Sequence, residues 1–216
     1  MPPIVSIVGR SESGKTTLME KLIRELKSRG YRVATIKHAQ EITFDEPGKD
    51  SWRHIQAGSE ATALSSPDKV VLIKPVAPEL ALGELGRFFG EDYDIILAEG
   101  FKASDVPKIE AHRREVGPPL KAVKKLVAIV TDEPLETKTR QFSFDDVKSL
   151  ADLLEEGFIR PEREHISLYV NHIPVPLSAF PREIISNMLV AMASSLKEVG
   201  EIRSLEIFLR RESKPG

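Results

Sequence analysis

The sequence predicts an α/β fold: a mostly parallel sheet with helices on both faces, followed by a small C-terminal β-β-α-β unit. Three observations carry this prediction. Short runs of Val, Ile and Leu alternate with stretches of helical periodicity over about residues 1–158. Two of those runs, Ile95-Ile96-Leu97-Ala98 and Leu126-Val127-Ala128-Ile129-Val130, lack polar alternation, as strands covered on both faces do. After a linker at about 159–164, apolar residues recur with period two, then with helical spacing, then with period two again, over 165–216.

The elements follow in order. Ile4-Val5-Ser6-Ile7-Val8 is β-rich and stops at Gly9. From Lys15 to Ser28, Leu18, Met19, Leu22, Ile23 and Leu26 mark one helix face, and Gly30 is a natural stop. Val33 to Ile36 is a second strand. A polar loop from His38 to Asp50 leads to a short helix that Ser51 could cap and Gly58 could end. Ala61 to Leu64 and Val70 to Ile73 are strands about a Ser-Ser-Pro-Asp turn. Helices are expected over Glu79 to Phe89 and Asp145 to Glu156, with Ser143 or Asp145 near the second N-cap. In the tail, Ile166, Leu168 and Val170 alternate, and Asn171-His172 turns into Ile173-Pro174-Val175. Pro181 suits the first turn of a helix to about Leu196, and Ile202 to Leu209 is a last strand. Met188 and Met192 are expected in the core of that unit.

Composition narrows the chemistry. The 216 residues carry 31 Lys+Arg against 33 Asp+Glu, a formal charge of -2, and no cysteine. Disulfides, thiolate-bound zinc, iron–sulfur clusters and thiol nucleophiles are excluded. Near-neutral charge argues against a nucleic-acid surface. No apolar run approaches the ~18 residues of a membrane span, and no leader is evident. A soluble, cytoplasmic protein is expected. His38, His54 and His112 match no common zinc spacing.

Gly9-Arg10-Ser11-Glu12-Ser13-Gly14-Lys15-Thr16 satisfies G-x-x-x-x-G-K-[ST], between a strand and an amphipathic helix. In that context the backbone N–H groups form an anion nest and the helix N-terminus adds its dipole. Lys15 would reach the β- and γ-phosphates, and the Thr16 hydroxyl would bind Mg²⁺. The fold is therefore expected to be a P-loop NTPase. Glu12 is an odd residue beside an anion, and could face outward, contact a partner or hold a second Mg²⁺.

Such a site needs an acid at a neighbouring strand end. Glu99, after Ile95 to Ala98, stands where a Walker B acid belongs. Lys37-His38 ends the second strand at the same sheet edge, where ligands bind in these folds. The loop that follows offers Asp45 and Asp50 as metal or water ligands, and Lys37, Lys49 and Arg53 as phosphate partners. Equally, Asp50-Ser51 could only cap the helix, with the lysines solvated.

Several segments together resemble the molybdopterin-guanine dinucleotide biosynthesis protein B (MobB) family. They are Gly9 to Thr17, Ile36-Lys37-His38, Asp45-x-Pro-Gly-Lys-Asp-Ser51 and the helix ending in Ala57-Gly58. Ile96-Leu97-Ala98-Glu99-Gly100-Phe101-Lys102, Lys108-Ile109-Glu110, Thr131-Asp132 and Phe144-Asp145-Asp146-Val147 follow in the family's order, across about residues 3 to 158. The resemblance implies a homodimer that binds GTP and Mg²⁺. It also implies an accessory role, beside the guanylyltransferase that attaches GMP to molybdopterin, with at most slow GTP hydrolysis. Molybdopterin is then a possible ligand. By the same resemblance, Asp132 takes the place of a guanine-reading aspartate, although no Asn-Lys-x-Asp motif is present. Ala39-Gln40-Glu41 stands where many members carry further histidines. The tail from about Arg160 looks similar to an extension that some members carry.

The expected site is thus Gly9, Arg10, Ser11, Glu12, Ser13, Gly14, Lys15, Thr16, Thr17 and Asp132 for the nucleotide. Thr16, Glu99 and Asp50 are expected at the metal, and Lys15, Glu99 and Asp50 in catalysis. Lys37, His38, Asp45, Lys49 and Arg53 form a candidate substrate or switch loop. Two other functions fit a P-loop: a GTPase that assists metal or cofactor insertion into another enzyme, and a small-molecule kinase with Asp45, Asp50 or Glu99 as base.

Overall fold

A computed structural model describes residues 1–42, 46–160, 166, 168–171, 173–202 and 205–209. The chain divides into two compact units, Met1–Arg163 and Glu164–Gly216.

The first unit is built on six parallel strands: β1 (Ile4–Gly9), β2 (Val33–Lys37), β5 (Ile95–Glu99), β6 (Lys108–His112), β7 (Leu126–Thr131) and β8 (Arg140–Phe142). Their spatial order is β2-β5-β1-β6-β7-β8, so β1 lies inside the sheet with β5 and β6 beside it. Two strands, β3 (Thr62–Ser65) and β4 (Val70–Ile73), pair antiparallel as a separate hairpin.

Side-chain alternation along β1 divides the core. Val5 and Ile7 face Leu18, Met19, Leu22 and Leu26 of α1 (Lys15–Ser28), together with Leu150, Ala151 and Leu154 of α4 (Val147–Leu154). Ile4 faces the other way, with Ile36, Ile96, Ala98 and Leu82 of α3 (Leu82–Gly86). Each fully buried Leu or Ile contributes roughly 1.5–3 kcal/mol, so α1 is held chiefly by its apolar face.

Several boundaries differ from the sequence reading. The helix α2 (Asp50–Gln56) starts at Asp50, with Lys49 rather than Ser51 in the cap position. In place of a helix over Glu79–Phe89, α3 begins at Leu82, where the Glu84 side chain accepts the Ala81 N–H at 2.8 Å. Residues 87–89 tighten into a 3-10 turn. The helix expected from Asp145 starts at Val147, because Ser143 Oγ accepts the N–H groups of Asp145 and Asp146 and holds them outside it. After Leu154 it continues as a π-helical turn, Glu155–Ile159, which stays in the first unit. Two strands had no apolar signature: β8, which is short, and β6, whose Lys108, Glu110 and His112 are buried despite their polarity.

In the second unit β9 (Leu168–Val170) and β10 (Ile173–Val175) form an antiparallel hairpin, followed by α5 (Ala179–Ser194). His172 lies outside the described residues. Of the expected final strand, the described residues 202 and 205–209 lie in no strand, and Phe208 is 91% exposed. Alternation supplies an apolar edge there but no ladder partner. Met188 and Met192 are exposed on α5 rather than in a core.

Candidate functional site

The turn between β1 and α1 has the backbone of an anion cradle. Glu12 and Gly14 both adopt left-handed conformations, with φ of 64° and 85°. Left-handed residues of this kind are a feature of anion-binding nests, and the turn is closed by the Ser13 N–H, which donates to Arg10 O at 3.4 Å. Glu12 itself is exposed, and Ser13 is buried beneath the loop. Gly9 is needed for close approach: a Cβ there would lie 2.4 Å from the carbonyl oxygen of Ala111 on β6.

Three strand ends converge on this turn. Thr16 Oγ1, in the first turn of α1, donates to the Glu99 carboxylate, 3.1 Å from each oxygen. Lys37 Nζ stands 3.9 Å from Glu99 Oε1. Lys15 Nζ donates to the carbonyl oxygen of Arg10. Burial pushes the Lys15 ammonium below the usual lysine range; Glu99 opposes that shift, and the charges of Lys102 and Lys37 add to it. The segment after Glu99 is stitched over β1: the Gly100 N–H donates to Ile7 O at 3.0 Å, and Ser6 Oγ donates to Gly100 O at 2.6 Å. Lys108, fully buried, donates to the carbonyl oxygens of Ser104, Val106 and Lys124, anchoring the loop that carries Lys102.

On the opposite flank, β6 and β7 end side by side, with His112 in register with Thr131. Asp132 follows β7. Its Oδ1 accepts the Arg114 backbone N–H at 2.9 Å, which holds its carboxyl below the usual aspartate range with help from Arg113 and His112. Arg113 Nη1 is 3.5 Å from Asp132 Oδ2, and its guanidinium lies 4.2 Å from the Phe144 ring centre. His112 Nε2 meets Glu133 Oε1 at 3.0 Å.

The sequence-predicted residues therefore fall into two groups. Gly9 to Thr17, Lys37 and Glu99 come together at one sheet edge, with Asp132 on the flank. His38 adjoins them through its N–H to Glu99 O at 3.0 Å, while its ring contacts Phe101 and its Nε2 meets Glu79 at 3.0 Å. The loop residues pair locally: Asp50 with Arg53 at 3.6 Å, and Lys49 with Glu46 at 3.9 Å. Asp45 lies outside the described residues. No cluster of three or more His, Cys, Asp or Glu suited to a metal occurs among the described residues. Sequence reasoning missed Lys102, Arg113, Phe144 and the anchoring role of Lys108. The Gly-Phe-Lys run after Glu99 held the signal for Lys102; Arg113 and Phe144 are brought to Gly14 only by the fold.

Comparison with known proteins identifies the family. Residues 4–132 match the family model described as molybdopterin guanine dinucleotide synthesis protein B, MobB. The chain is 38% identical over 156 residues to the molybdopterin-guanine dinucleotide biosynthesis adapter protein of Haemophilus influenzae, covering 71% of this chain and 88% of that one. With the protein of the same name from Escherichia coli it shares 35% over 163 residues, 72% and 93% of the two chains. A solved MobB homolog from Bacillus stearothermophilus superposes with a TM-score of 0.53 at 26% identity, over 71% of this chain and 95% of that one. A crystal structure of molybdopterin-guanine biosynthesis protein B gives 0.55 at 28%, over 71% and 98%. The parallel sheet, the glycine-rich turn and the sequence matches agree: this chain belongs to the MobB family.

Proposed function

We propose that this protein is a GTP-binding adapter in molybdenum cofactor maturation, which assists the attachment of GMP to molybdopterin. The observation that carries the reading is the convergence of Lys15, Thr16 and Glu99 at a glycine-rich turn, in a chain of this family. The nest of N–H groups cradles the phosphates, and the Lys15 ammonium exchanges its bond to Arg10 O for the β- and γ-phosphates. A hydroxyl and a carboxylate facing each other suit Mg²⁺, which takes one or two hard protein oxygens besides phosphate and water. Thr16 and Glu99 would hold it, with the charge it brings neutralising the phosphates. Asp50, four residues beyond Glu46 on a peripheral helix, joins only if its loop closes on the nucleotide. Asp132 reads guanine, whose N1–H and amino group offer two donors to one carboxylate; adenine offers no such pair.

Hydrolysis, if any, is slow in this reading, and the bound nucleotide is delivered to or signalled to a guanylyltransferase partner in the cytoplasm. Among the described residues no helix is long and apolar enough to cross a membrane. A homodimer is supported by the β3–β4 hairpin: α2 buries no residue, and Leu64, Val70 and Leu72 are exposed. A two-stranded hairpin is marginal alone and gains by packing on a second copy.

Calorimetric titration with GTP and ATP, with and without Mg²⁺, tests the reading. GTP should bind more tightly, Mg²⁺ should strengthen it, and Lys15→Ala should abolish it. Unchanged affinity in Lys15→Ala would remove the phosphate site, and tight ATP binding with phosphoryl transfer to a small acceptor would make the protein a kinase.

A further inference from the structure

The flank of the P-loop holds a small stack that the phosphate site does not use. A Cβ on Gly14 would lie 3.3 Å from Arg113 Nε and 3.3 Å from Phe144 Cε1, so both side chains rest against the loop glycine that opens α1. The central carbon of the Arg113 guanidinium lies over the Phe144 ring, 4.2 Å from its centre. The same guanidinium points Nη1 at Asp132 Oδ2, 3.5 Å away. Arg113 and Asp132 are each about one-third exposed, at 32% and 35%, so the stack opens to solvent.

Aromatic face, carboxylate and planar donor together have a specific chemical meaning. The N1–H, C2, N2–H₂ edge of guanine is itself a planar guanidine fragment, presenting parallel N–H donors. Arg113 occupies the two positions that such a base would occupy: its guanidinium lies over an aromatic ring, and one of its N–H₂ groups stands at ion-pair distance from a carboxylate. The Asp132 Oδ1 bond to the Arg114 N–H leaves that oxygen a second lone pair, whereas Oδ2 is faced by Arg113. A guanine edge spanning both oxygens therefore competes with Arg113 and not with the backbone.

We infer that Phe144 and Asp132 form the base subsite beside the P-loop, and that Arg113 fills it as an internal mimic of the guanine edge, which a guanine nucleotide displaces. This rests on the proposed reading of Asp132. Displacement is favourable because guanine returns to Asp132 the donors that Arg113 withdraws. The released guanidinium goes to solvent. Arg113 thus sets the affinity for the base without touching the phosphates.

Calorimetry of the full chain with Mg²⁺-GTP and with Mg²⁺-tripolyphosphate, which has no base, tests this. Arg113→Lys keeps the charge but removes the planar fork and its stacking. It should raise GTP affinity about three- to tenfold, the worth of one part-exposed ion pair and a cation–π contact, and leave tripolyphosphate binding unchanged. A fall in GTP affinity would make Arg113 a ligand of the bound nucleotide, and parallel changes for GTP and tripolyphosphate would place it at the phosphates; either overturns the inference, as does unaltered GTP binding. Asp132→Asn separates the two layers. Equal losses of GTP and ATP would end the reading of Asp132 and the inference with it. A GTP-selective loss in Asp132→Asn, with GTP affinity unchanged in Arg113→Lys, would overturn the inference and leave the reading of Asp132 standing.

Discussion

Gly9→Ala puts the packing of the P-loop to a quantitative test. The added methyl would stand 2.4 Å from Ala111 O and 2.4 Å from Ser13 Oγ, where Cβ contacts essentially never fall under 3.0 Å. The Ser13 side chain can rotate away. The carbonyl cannot, because Gly9 pairs in register with Ala111 in the ladder between β1 and β6, near the middle of the sheet. The strand or the loop must therefore move by at least the missing 0.6 Å, the difference between 3.0 and 2.4 Å. Overpacking of this kind costs about 1–3 kcal/mol. At ~2–4 °C per kcal/mol for a unit of this size, thermal unfolding should shift down by roughly 2–12 °C. If the strain is relieved in the loop instead, GTP affinity falls by about 5- to 150-fold. Gly83→Ala is the matched control, since nothing lies within 4 Å of its Cβ position. There the smaller unfolded-state entropy should give a gain of up to ~1 kcal/mol. Thermal denaturation and calorimetry on both variants decide the matter. A Gly9→Ala protein with the parent's Tm and GTP affinity would refute the steric account of the P-loop.

Other predictions concern the charges. Glu99→Gln keeps the hydrogen bond from Thr16 but removes the carboxylate charge beside Lys37 and Lys15, so the gain in GTP affinity that Mg²⁺ confers should shrink about tenfold or more; titration at two Mg²⁺ concentrations reads it. Lys108→Ala strips the carbonyl oxygens of Ser104, Val106 and Lys124 of their donor and opens a cavity, and should cost about 2–4 kcal/mol in urea unfolding, with faster amide exchange in residues 101–107. Glu155 is held below the usual glutamate range by Arg29 and Tyr31. A carboxylate with a lowered folded pKa adds stability above its unfolded pKa of about 4.3, and that stability is lost as pH falls through the folded value. Glu155→Gln should therefore lower Tm at neutral pH, and the gap to the parent should close in acid; a gap constant with pH would mean that the ion pairs with Arg29 do not carry the effect.

The sequence alone determined the sheet's apolar strands, the helix α1 and the phosphate loop, because each is written in local terms. A 3.6-residue period fixes a buried helix face, unbroken Val/Ile runs fix interior strands, and two glycines at fixed spacing fix a turn. It also placed Glu99 at a strand end, which is enough to bring it to the loop once β5 and β1 are neighbours. Tertiary structure decided what depends on partners distant in the chain. Strand β6 is polar on one face, yet Lys108, Glu110 and His112 are buried there, Lys108 because three carbonyl oxygens accept its hydrogen bonds and His112 beside Glu133. The helix starts after Ala81 and Asp146 were set by side-chain bonds to the backbone that compete with one more turn. The apolar alternation of 205–209 found no strand to pair with, since period two specifies a face and not a neighbour. Above all, Arg113, Phe144 and Asp132 are separated by up to 31 positions in sequence, and no local pattern links them. Only the parallel order β1-β6-β7-β8 brings Arg113 and Phe144 to Gly14, with Asp132 beside Arg113, on the flank of the phosphate loop.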